Sequence, residues 1–60
     1  MRDKKRIKRI IKIITKAWEK NPDLRIGQLF GNCFDSIDLY YIEDEVLEKF
    51  IKDFYHVRNT

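Results

Sequence analysis

The stretch from about Asp3 to Lys20 contains no glycine or proline and spaces its apolar side chains with a helical period. Ile7, Ile10, Ile11, Ile14, Ala17 and Trp18 recur at i, i+3, i+4, i+7, i+10 and i+11, forming one stripe of an amphipathic helix. At about 100° per residue, Lys5, Arg9, Lys12, Lys16 and Lys20 fall on the side opposite that stripe. Ile13 lies off the stripe and widens it.

Asn21-Pro22-Asp23 ends this helix near Lys20, because the residue before a proline is pushed out of the α region. The same tripeptide can open a second helix: Asn21 as cap, Pro22 in the first position, Asp23 at the positive end. That helix is expected over about 22–34, with Ile26, Leu29, Phe30, Cys33 and Phe34 on its apolar face and Leu24 packing at its start. Gly27 and Gly31 lie four apart inside it, each costing about 1 kcal/mol relative to alanine. Close approach of another helix is the expected reason, ahead of close approach by a ligand. Asp35-Ser36-Ile37-Asp38 reads as a turn, and Leu39-Tyr40-Tyr41 as either extended or already helical. A third helix is expected over about 43–56, with Glu43, Asp44 and Glu45 favoured at its positive end and Val46, Leu47, Phe50, Ile51 and Phe54 as its stripe. Val57 to Thr60 are expected to fray.

Three such segments in 60 residues predict a single all-α domain over 1–60, a compact three-helix arrangement with helices at about 3–20, 22–34 and 43–56. A core this small supplies only about 3–5 kcal/mol of net stability. Extra support from an internal disulfide is excluded, since Cys33 is the only cysteine, and its solitude points to a reducing, cytoplasmic setting. One cysteine and one histidine leave too few ligands for a structural zinc site. Tight packing or homodimerisation is left. With 43% hydrophobic residues the chain is too apolar to be disordered. It has no apolar run of transmembrane length and no signal-peptide pattern.

Charge is divided unevenly. Residues 1–20 carry nine Lys/Arg and two acids, and residues 21–60 carry four Lys/Arg and eight acids. The two parts attract within a Debye length of roughly 10 Å, so much of the basic charge is expected to face the acidic part of the same molecule or of a partner.

No residue pattern selects a reaction, and the chain reads as a non-enzyme without a cofactor or small-molecule substrate. Glu43, Asp44 and Glu45 are consecutive, and consecutive residues on a helix do not converge on one ion. Cys33 and His56 are the only nucleophile and base of their kind, with Cys33 on an apolar stripe and His56 at a helix end. The phosphate-loop pattern is absent around Gly27 and Gly31. The Lys5/Arg9/Lys12/Lys16/Lys20 face fits nucleic acid or an acidic partner, with a solvated face as the plainer reading.

Ala17-Trp18-Glu19-Lys20-Asn21-Pro22-Asp23-Leu24, Gln28-Leu29-Phe30 and the acidic start at 43–45 resemble the YihD-like family of small bacterial proteins. Leu24-Arg25-Ile26-Gly27-Gln28-Leu29 with Asp38-Leu39-Tyr40-Tyr41-Ile42-Glu43-Asp44 is similar to a signature of short bacterial and phage proteins. The likeness spans about residues 10–51, and the chain is shorter than the YihD-like proteins at its C-terminal end. It implies a helical fold and no particular activity. It singles out Arg25, Gln28, Tyr40, Tyr41 and Asp44, which either fix the 38–41 turn or form a partner-binding patch.

The sequence therefore predicts a protein-interaction or regulatory module, with a protein partner or a second copy of itself. A nucleic-acid-associated protein using the basic face is the alternative. An inhibitor encoded by a phage or mobile element is a third.

Overall fold

The computed structural model describes residues 2–35 and 37–58, so Met1, Ser36 of the expected turn, and Asn59 and Thr60 of the expected frayed end lie outside it. It is an all-α, three-helix domain, as expected. Helix α1 spans Lys5–Lys20, α2 spans Ile26–Cys33 and α3 spans Asp44–Tyr55. No helix among the described residues is long and apolar enough to cross a membrane.

Each boundary has a local cause. The Asp3 carboxylate accepts the Lys5 N–H at 2.9 Å and opens α1. Asn21 does not cap the second helix, because it closes the first. Its backbone N–H donates to Trp18 at 2.9 Å and its side-chain amide donates to Ala17 at 3.1 Å. Residues 22–25 are then a linker, fastened by the Trp18 indole donating to the Leu24 carbonyl at 2.7 Å. Helix α2 therefore starts at Ile26 rather than at Pro22, with the Gln28 side chain accepting the Arg25 N–H at 2.8 Å. At the end of α3, His56 turns left-handed with φ 55, and Val57 donates back to Lys52 at 3.0 Å. Val57 is consequently buried rather than frayed.

Helices α1 and α3 run the same way. Arg2, Arg6 and Arg9 meet Glu43, Asp44 and Glu48, while Lys20 meets Tyr55 and His56. Helix α2 runs opposite to α3: Leu29, early in α2, accepts from the Tyr55 hydroxyl at 2.6 Å, and Phe34, after it, stacks on Phe50 at 5.5 Å. The core consists of Ile13, Ala17, Leu29, Phe34, Ile51, Tyr55 and Val57, with Ile14, Trp18, Leu24, Phe30, Cys33, Ile42, Leu47 and Phe50 packed against it.

The face that α1 buries is not the centre of its apolar stripe. Ile13, expected at the margin, is 2% exposed, whereas Ile7 and Ile11 on the stripe are 52% and 55% exposed. Projected at about 100° per residue, Arg6, Arg9, Ile13, Lys16, Ala17 and Lys20 share one arc of roughly 100°, and that arc faces α3. The helix is rolled by roughly a quarter turn from the orientation its stripe alone would choose. Two demands of α3 account for the roll: acids at its first turns and carbonyl groups left open at its last turn. Length adds to the effect. Eight residues of α2 make about 12 Å of helix, against about 24 Å for the sixteen of α1, so α2 covers only part of the stripe.

The α3 stripe also divides. Leu47, Phe50 and Ile51 turn inward, while Val46 and Phe54 stay exposed and Glu48 and Tyr55 are buried instead. The glycines of α2 do not admit a neighbouring helix. A Cβ added at Gly27 or Gly31 would meet nothing within 4 Å, so both face open space.

Candidate functional site

Three ion pairs join the start of α1 to the start of α3. Arg2 and Glu43 approach to 3.3 Å, Arg6 and Asp44 to 2.6 Å, and Arg9 and Glu48 to 2.9 Å. The first is a surface contact with both side chains well exposed. The third is more demanding, because Glu48 is buried. Arg9 answers it as a fork: its Nε donates to both carboxylate oxygens, at 3.2 and 3.0 Å, and a terminal nitrogen donates at 2.9 Å. That bonding to Glu48 holds the Arg9 guanidinium above its ordinary pKa. The hydrogen bond from Arg6, reinforced by the charges of Arg6 and Arg2 and partly opposed by burial, holds the Asp44 carboxyl below the usual carboxylate range. The acidic first turn of α3 thus stabilises its own helix end and also fastens α1.

The five cations of the basic face separate into two groups. Arg9 is engaged by Glu48, Lys20 donates to the Tyr55 and His56 carbonyls at 2.8 and 3.2 Å, and Lys16 donates to the Arg58 carbonyl at 3.3 Å. Lys20 thereby satisfies carbonyl groups at the negative end of α3, the position where a cation is favoured, and Lys16 reaches the segment just beyond it. A cleft of about 440 Å³ lies there, lined by Lys16, Lys20, His56 and Arg58 among others. Lys5 and Lys12 remain on the surface.

Arg25, Gln28, Tyr40, Tyr41 and Asp44, singled out from the sequence, do not form one constellation. Arg25 and Gln28 are joined by the start of α2, and the 38–41 turn closes without them. Asp38 accepts the Tyr40 N–H on its side chain at 3.0 Å and the Tyr41 N–H on its carbonyl at 3.3 Å. The segment is neither strand nor helix but a turn, and it lifts Tyr40 and Tyr41 into solvent, 85% and 78% exposed. Their rings meet edge to face with centroids 4.9 Å apart. Leu39 and Ile37 beside them are also exposed. Asp44 belongs to the ion pairs with α1.

Cys33 is half-buried. Its sulfur faces the Leu29 and Phe30 carbonyls at 3.5 and 3.6 Å, and burial pushes its thiol pKa up. A raised pKa keeps the thiol protonated and slow as a nucleophile. Burial likewise raises the Tyr55 hydroxyl, which is spent on Leu29.

Two features escape a reading of hydrophobic periodicity: the burial of Glu48 and the exposure of Ile7 and Ile11. A signal for the first exists. Arg2, Arg6 and Arg9 recur at i, i+4 and i+7, and Asp44 and Glu48 recur at i and i+4, complementary rows that fit two parallel helices.

No protein-family model, curated protein or solved structure matches the chain.

Proposed function

We propose that this chain is a non-enzymatic protein-interaction module that works in the cytoplasm. The observation that carries the reading is the tyrosine turn. Tyr40 and Tyr41 project from the α2–α3 connection with most of their surface in water, flanked by exposed Leu39 and Ile37. Two aromatic rings with apolar neighbours outside a small core are costly to leave uncovered, and such groups anchor protein interfaces. The turn is held by its own hydrogen bonds, so the rings are presented on a defined support.

Nucleic-acid binding through the basic face has less support. Three of the five cations, Arg9, Lys16 and Lys20, are directed at α3 or the segment just beyond it. A phosphate backbone would have to compete with those contacts.

Affinity capture from the native host, comparing the natural chain with the Tyr40→Ser/Tyr41→Ser double variant, tests the proposal. A defined protein recovered at least tenfold less by the variant supports it. Equal recovery, or recovery of nucleic acid alone, removes it. A second copy counts as such a partner, and sedimentation velocity reads that case directly.

A further inference from the structure

We infer that the outer face of α1 is a docking surface for an acidic amphipathic helix of a partner protein. This rests on the interaction-module reading and adds the chemistry of the partner. The floor of the surface is the part of the α1 stripe that the domain leaves wholly or partly uncovered. Ile7, Ile10, Ile11 and Ile14 stand at i, i+3, i+4 and i+7, the row that an incoming helix packs against. Ile10 and Ile14 are half-buried, and Ile7 and Ile11 are more than half exposed. The row is about 10 Å long, two helical turns.

Charge selects the occupant. Lys4, Lys8 and Lys12 form a second row at i, i+4 and i+8, adjacent to Ile7 and Ile11 on the side away from α3. All three are exposed, and among the described residues no carboxylate or carbonyl engages their ammonium groups. They differ in this from Arg2, Arg6, Arg9, Lys16 and Lys20, each of which has a partner on or just beyond α3. A helix laid along the isoleucine row would set its own flank against these lysines, and acidic residues there would complete the contact.

A second copy of the same face fits poorly, because two copies would bring lysine rows together. A nucleic-acid strand would meet the lysines and leave the isoleucines unburied. An interfacial membrane helix presents a broad apolar face with cations around it. Here there is one row, bounded by lysines on one side and by the domain itself on the other.

The test titrates the full, isotope-labelled chain with a designed helical peptide carrying leucines at i, i+3, i+4 and i+7 and glutamates on both flanks. Parallel titrations use the same peptide with lysine flanks, phosphatidylglycerol vesicles and duplex DNA. The expected result is NMR shift changes confined to residues 4–14 with the glutamate peptide, at least tenfold tighter than with the lysine peptide. Ile7→Ser/Ile11→Ser should weaken binding at least tenfold. Lys8→Glu/Lys12→Glu, wholly on the surface, should reverse the peptide preference. Vesicles or DNA binding this face more tightly than the glutamate peptide would overturn the inference, as would no binding or binding indifferent to the variants. If the peptide fails while capture through Tyr40 and Tyr41 succeeds, the module reading stands and only this face loses its assignment.

Discussion

Helix α1 meets α3 by two different means along its length. Towards its C-terminal end, Ile13 and Ala17 close on Ile51 and Tyr55, with Leu29 of α2 completing the buried cluster. Towards its N-terminal end, Arg2, Arg6 and Arg9 reach carboxylates on α3, and the isoleucines of the same turns stay outside. Burial of a whole aliphatic side chain is worth about 1.5–3 kcal/mol, whereas the exposed Arg2–Glu43 pair adds little. The desolvation of the buried Glu48 offsets much of its attraction to Arg9, so these pairs fix register and direction more than they stabilise. Stability is thus concentrated at one end, and the other end is aligned and left with an apolar surface to spare. The parallel arrangement makes this possible, because the acidic start of α3 lies beside the basic start of α1.

The sharpest way to break the contrast is to empty the apolar end. Leu29→Ala should cost about 2–5 kcal/mol, comparable with the whole stability expected of a core this size. Its circular dichroism should show a largely unfolded chain at 25 °C; a cooperative thermal transition near that of the natural protein would contradict the assignment of the core. The ionic end should respond unequally. Arg9→Ala strands the buried Glu48 carboxylate, while Arg2→Ala loses only a surface contact. Urea denaturation should place Arg9→Ala clearly below Arg2→Ala, and equal midpoints would mean that Glu48 is not buried as described.

A smaller effect of opposite sign sharpens the apolar end. His56 holds a left-handed backbone that costs a side-chain-bearing residue about 1 kcal/mol, so His56→Gly should raise the melting temperature while its carbonyl still accepts Lys20. A fall in melting temperature would show that the imidazole itself contributes there. The smallest effect expected is the acid response of Asp44. Its folded pKa lies below its unfolded one, so its contribution is present above the unfolded value of about 4 and is lost as pH falls through the folded one. The melting-temperature gap between the natural chain and Arg6→Ala should therefore narrow below about pH 4, leaving a pH-independent remainder from the Arg6 bond to the Asp3 carbonyl. A gap that does not narrow as pH falls would detach Arg6 from Asp44.

Much of this fold was legible in residue spacing. Periodicity and the Asn21-Pro22-Asp23 break identify three helices, and the unequal charge of residues 1–20 and 21–60 anticipates that basic and acidic parts face each other. The rotation of α1 was not legible, because a stripe records which residues are apolar and not which neighbours need cations. Ile13 rather than Ile11 is buried because Arg9, Lys16 and Lys20 must reach α3 and the segment just beyond it from the same side. Helix α2 begins late because Asn21 serves one helix end and cannot serve two. Gly27 and Gly31 suggested a close helix, yet their surroundings are empty. Among the residues singled out from the sequence, Tyr40 and Tyr41 stand apart on a self-contained turn, while Arg25, Gln28 and Asp44 do local or interhelical work.

Amide hydrogen exchange along α1, measured at low salt and again at about 1 M salt, where the Debye length is roughly 3 Å, tests the division most directly. Residues 13–20 should be the most protected and insensitive to salt, and residues 5–11 should be less protected and lose protection further as salt rises. Uniform protection along α1, unchanged by salt, would contradict an apolar clamp at one end and ionic alignment at the other.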